Sequence, residues 1–147
     1  MPNDLDHVRS IAKRDSLAVA TTLRPQGTIH ASVVNAGVLE DPVTGEACIG
    51  FVARGDARKL SYLRASGRAA VVFRHGADWV AVEGPVGLVG PHDPLEAFSS
   101  AQGARLIRSI FVAAGGTHQD WDEFDRVMAA EGRTAVLVAP ERISGNS

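Results

Sequence analysis

The chain has 147 residues, 45% of them apolar and 22% charged, with a formal net charge of −2. That length predicts one domain over 1–147 with a real core, and the near-neutral charge gives no positive field for nucleic acid. The apolar runs are short and interrupted, far below the roughly 20 residues of a membrane span, so no membrane partner is expected.

Met1-Pro2-Asn3-Asp4 brings early acids and no apolar stretch, unlike a secretory signal. A single cysteine, Cys48, fits a reducing compartment, and a cytoplasmic location is expected. Leu5, Val8 and Ile11 recur at helical spacing, predicting a helix over 4–14 capped by Asn3. Leu17 to Leu23 is β-branched and apolar, and the turn Arg24-Pro25-Gln26-Gly27 leads to a second strand, Thr28 to Leu39. After Asp41-Pro42-Val43-Thr44-Gly45 comes a third strand, Ala47 to Ala53, and short turns make the three an antiparallel meander.

Asp56 is the expected cap of a helix running to about Ser66, with Leu60 and Leu63 on its apolar face. Arg68 to Phe73 and Trp79 to Val89 read as strands joined by a turn at 75–78. Gly84, Pro85 and Gly87 predict a bend in the second of these, as closing a small barrel requires. Asp93, Pro94 and Glu96 match a capped helix start, and that helix is expected to stop at Gly115-Gly116. A further helix from Thr117 aligns Trp121, Phe124, Val127 and Met128, a stripe read as core packing, opposite a solvated acidic face. Arg133 to Val138 closes the set. The fold class is mainly β, a six-stranded antiparallel barrel with peripheral helices, since the order lacks βαβ alternation and no GxGxxG follows a strand.

The segment Phe51-Val52-Ala53-Arg54-Gly55-Asp56-Ala57-Arg58-Lys59 carries the chemistry. It ends a strand, turns at Gly55 and crowds Arg54, Arg58 and Lys59 around a helix start. Cations there oppose the helix dipole by about 0.3–1 kcal/mol each unless an anion docks between them. A phosphate would accept the free N–H groups and neutralise the charges. The alternative is that Asp56 and solvent satisfy them. The five histidines show no metal-ligand spacing, so no metal is expected. His30 reads as a solvated strand residue and Cys48 as buried filler.

The runs LAVATTLRPQGTIHASVVN, GFVARGDARKLSYLR and WVAVEGPVGLVG resemble the flavin and deazaflavin oxidoreductases of the split β-barrel type, relatives of pyridoxamine 5'-phosphate oxidase, with the F420-using branch the nearer match. The resemblance covers roughly residues 15–90 and the last strand. It implies F420 as cofactor (alternatively FMN), with Lys59 and Arg58 on its phosphate, Arg54 and Ala53 lining the approach, and Ser32, Val34 and Asn35 beside the ring. It also implies a homodimer with a site at each interface, to which Trp79 of the second subunit would contribute. Ala57 stands where the family often has a hydroxyl, and Tyr62 where asparagine is common. The chain end, from Pro140, lacks the Arg and His pattern that holds pyridoxamine phosphate. The implied activity is hydride transfer from reduced cofactor to a small planar or conjugated molecule, with no catalytic acid assigned. A non-catalytic carrier of F420 or flavin is the reading from another class.

Overall fold

A computed structural model describes residues 4–96 and 98–146. The elements are α1 (Leu5–Arg14), β1 (Leu17–Leu23), β2 (Ile29–Glu40), β3 (Ala47–Ala53), α2 (Arg58–Ser66), β4 (Arg68–His75), β5 (Asp78–Val89), α3 (Ser100–Ala113), α4 (Trp121–Ala130), β6 (Thr134–Val138) and β7 (Arg142–Gly145).

Six strands close an antiparallel barrel in the order β1-β2-β3-β6-β5-β4, with β4 returning to β1. The two twelve-residue strands hold the corners. β2 pairs with β1 as far as Asn35 and with β3 from Ala36. β5 pairs with β4 through Pro85 and with β6 from Val86. The predicted bend in β5 is thus the point where it changes partners. Gly84 permits it: a Cβ there would lie 1.8 Å from the Ala139 carbonyl oxygen.

Strict alternation directs one face of each strand inward. Ile49, Phe51, Val71, Phe73, Val80, Val82 and Val136 fill the barrel, each at most 1% exposed. Val8 and Ile11 of α1 join this core, and Leu60 and Leu63 of α2 close it from another side. A second core forms where α3 and α4 cover the outer faces of β3 and β6, joining Leu106, Ile107, Ile110 and Phe124 to Cys48, Ala135 and Leu137. Gly37 lets the end of α3 abut β2, since a Cβ there would sit 2.3 Å from the Ala113 carbonyl oxygen.

Several local expectations are corrected. Asn3 lies outside the described residues, and α1 is capped by Asp4, whose carboxylate accepts from the His7 N–H. Asp56 does not cap α2; the N-cap is Ala57, with no side-chain hydrogen bond, because Asp56 turns to Arg54 instead. α3 does not begin at Asp93. That carboxylate takes two hydrogen bonds from Arg64 at 2.9 and 2.6 Å, and the helix starts after Ser99, in a capping box with Gln102. α4 starts at Trp121 behind an Asp120 cap, not at Thr117. The acidic face is not purely solvated, since Asp125 pairs with Arg108. A seventh strand, β7, was not expected; it lies on β5 beside residues 80–83.

Candidate functional site

The strand-to-helix turn after β3 opens onto a cleft of about 530 Å³ between β2, α3 and α4. Val34, Asn35, Ala53, Arg54 and Lys59, five of the eight residues expected at a site, line it together. Alternation along β2 places Val34 facing inward and Asn35 outward, so the two meet the cleft from opposite faces of the strand. Ser32 does not line the cleft. It lines an adjoining space of about 10 Å³, shared with Lys59, His30 and Thr22. Arg58 is exposed and does not line the cleft, and Trp79 stands apart on the β4–β5 hairpin.

Much of the remaining lining comes from the helices. Ile107, Ile110 and Phe111 of α3 and Phe124 and Met128 of α4 make an apolar wall. Phe111 and Phe124 pack at 5.0 Å between ring centroids, and Trp121 and His118 extend the aromatic group behind them. Arg108 ties α3 to α4 by its pair with Asp125 and lies 5.4 Å over the Trp121 ring. In sequence, the Phe124–Met128 stripe looks like ordinary core; Phe111 and Arg133 carried no local signal at all. Phe111 reaches the cleft through the packing of α3 beside α4, and Arg133 through the turn from α4 into β6.

Of the two readings of the crowded cations, pairing with Asp56 holds for Arg54 but not for Lys59. Arg54 pairs with Asp56 and Glu131, each at 3.4 Å, and Glu131 also accepts from Arg133 at 2.8 Å. Both arginines are therefore paired, and the exposure of Arg54 keeps its pairs weak. Lys59 is different. It is half-buried, its Nζ lies 6.0 Å from the centroid of the Phe51 ring, and among the described residues it has no ion pair. Burial pulls its pKa down from the usual lysine range. The first turn of α2 beside it has no side-chain cap to satisfy its N–H groups.

His30 packs on Tyr62 at 5.3 Å between ring centroids. Its pKa is lowered, first by burial and then by the positive charges of Arg24 and Lys59. The Ser32 hydroxyl is buried without a hydrogen-bond partner. Cys48 is buried, and burial with the nearby Asp41 charge pushes its thiol up to about 12, as expected of an inert filler. Among the described residues no cluster of three or more His, Cys, Asp or Glu gathers, and no helix is long and apolar enough to cross a membrane.

No protein-family model matches this chain, and no curated protein matches it. Solved structures do. A pyridoxamine 5'-phosphate oxidase-like protein of Listeria innocua superposes with TM-score 0.61 at 15% identity, over 97% of this chain and 98% of its own. An F420 reductase superposes with TM-score 0.61 at 18% identity, over 92% and 94%. A pyridoxamine 5'-phosphate oxidase-related, FMN-binding protein of Nostoc punctiforme gives TM-score 0.61 at 13% identity, over 95% and 80%. The shared feature is the fold, the six-stranded split barrel of the FMN-binding type.

Proposed function

We propose that the cleft binds a phosphorylated flavin-type cofactor, F420 ahead of FMN, and that the protein is an oxidoreductase acting on a small planar or conjugated molecule. The observation that carries this is Lys59: a half-buried cation without an ion pair, beside the uncapped first turn of α2, at the floor of a mostly apolar cleft. Keeping an ammonium there is costly unless an anion completes the site. The buried, unpartnered Ser32 hydroxyl lies outside the cleft, in the small adjoining space that Lys59 also borders. A phosphate group fits this donor set.

In its reduced form the bound cofactor would supply the hydride. Lys59 and the α2 N–H groups would hold the phosphate, with Arg58 at the exposed edge. Val34, Ala53 and Asn35 would line one side of the ring, and Phe111 and Phe124 would keep water from the opposite wall. The preference for F420 rests on the sequence resemblance.

A homodimer is part of this reading. The outer faces of β1, β2, β4 and β5 carry the row Val33, Val19, Val72 and Ala81 in register. Leu17, Leu23, Ile29 and Val33 are 49–66% exposed around it. An aliphatic face of that kind favours a partner. Trp79 lies on the same outer face, two residues from Ala81, where it would reach a neighbouring subunit's cleft.

Fluorescence titration with F420 and with FMN tests the proposal. One of them should bind, and Lys59→Ala should weaken it about 10- to 100-fold, the scale of a lost charge-assisted hydrogen bond. Unchanged affinity in the variant would remove Lys59 from the site. If neither cofactor binds the wild type, the cofactor reading fails. Binding with no oxidation of the reduced form by a panel of quinones and enones would favour a carrier.

A further inference from the structure

We infer that the protein has a second binding chamber, separate from the cofactor cleft, that takes an uncharged, apolar small molecule. A partly open volume of about 380 Å³ lies between α3, α4 and the segment that follows β5. That size lies within the range of small-molecule pockets.

The wall from α3 is unusual. Ser100, Gly103, Ala104 and Ile107 recur at helical spacing along the chamber. An amphipathic helix covering a core presents large apolar side chains at such positions. Here the middle two are the smallest residues available. A Cβ added to Gly103 would meet nothing within 4 Å. Glycine is the poorest helix former after proline, and no close contact demands it at this place. Its effect is to leave the chamber open.

The opposite wall is equally specific in composition. Val89, Pro91, Leu95 and Phe98 face α3 with apolar surface. The segment is fixed at its base by the two hydrogen bonds from Arg64 to Asp93 and by the bridge between Gly90 and Asp93. The two charged residues in the lining are Asp125 and Arg133, and both are committed, to Arg108 and Glu131. The Ser99 hydroxyl is occupied in the capping box. Each charge in the lining thus has an opposite partner within the fold, and the remaining lining is mostly apolar, which favours an uncharged occupant over a phosphate or carboxylate. Ile107, Met128 and Arg133 border the chamber and the cleft alike, so an occupant would lie next to whatever the cleft holds.

The probe for this inference is N-phenyl-1-naphthylamine, a neutral apolar fluorophore, titrated into the full-length protein. Saturable binding is expected. Gly103→Phe, which fills the chamber from α3, should weaken it about tenfold or more. Gly103→Ala should hold it within about twofold, and F420 or FMN affinity should stay within about twofold in both variants. Absence of saturable binding, or equal probe affinity in wild type and Gly103→Phe, would overturn the chamber. Equal loss of probe and cofactor would overturn its separateness from the cleft. Should Gly103→Phe fail to fold by circular dichroism, Ala104→Leu serves in its place and is read in the same way. Probe binding that responds to these variants in a protein binding neither cofactor would support the chamber while removing the cofactor reading.

Discussion

Ser32 and Lys59 border the same space of about 10 Å³, and neither has a hydrogen-bond or ion-pair partner among the described residues. One belongs to a barrel strand and the other to the first turn of α2, so the barrel and the helix each bring an unsatisfied polar group to one point. Buried hydroxyls normally find a partner, and such an exception calls for a role.

The Ser32 hydroxyl separates stability from binding. Ser32→Ala removes a buried, unsatisfied group and should stabilise the free protein by about 1 kcal/mol, or a melting-point rise of about 3 °C. Cofactor affinity should change less than in Lys59→Ala, because Ser32 lies outside the cleft. A melting point that drops, measured by calorimetry without ligand, would mean that the hydroxyl is satisfied in solution.

His30 should report on the anion. Its folded pKa lies below 6.5, so between that value and 6.5 the unfolded chain binds more protons and stability falls as pH is lowered through the window. A phosphate near Lys59 would offset the repulsion from Arg24 and Lys59 and move the His30 pKa upward. Ring-proton NMR titration with and without cofactor measures both shifts. A His30 that titrates at 6.5 or above in the free protein contradicts the first, and one unmoved by cofactor contradicts the second.

The outer aliphatic face makes a prediction about assembly. Val33→Asp places a charge in the row that Val33 forms with Val19 and Val72, on a side chain that is 66% exposed in the single chain. Sedimentation should show a dimer for wild type and a monomer for the variant, with little change in monomer fold because the site is already solvated. A wild type that sediments as a monomer at high concentration removes the dimer from the functional reading.

Gly84→Ala tests the barrel corner. The added methyl would run into the Ala139 carbonyl oxygen at 1.8 Å, so backbone must shift. A loss of about 2 kcal/mol or more is expected in urea denaturation, as for other overpacked sites. A change within about 0.5 kcal/mol would show that β5 relaxes freely there.

The barrel was readable because its signals are local. β-Branched runs, short turns and the Gly84-Pro85-Gly87 bend each report on the residues that carry them. Some failures arose where a distant partner captured a side chain. Asp93 has every mark of a helix cap, yet Arg64, 29 residues earlier, takes both carboxylate oxygens. Asp56 is a local partner for Arg54 that the sequence offers, but its second partner, Glu131, lies 77 residues away. β7 went unseen since Ile143 is its one apolar residue, too little for a period. At the site, Lys59 stands out from its own segment, whereas Phe111 and Arg133 join the cleft only through tertiary packing.

The short β7 has a consequence for handling the chain. β6 spans five residues and pairs β5 only from Val86 onward, so the backbone of 80–83 depends on β7 for its second neighbour. Trimming before Arg142 would bare a run of unpaired amides flanked by Val80 and Val82, an adhesive margin for another molecule's strand. β7 thereby shields that margin from pairing with another molecule.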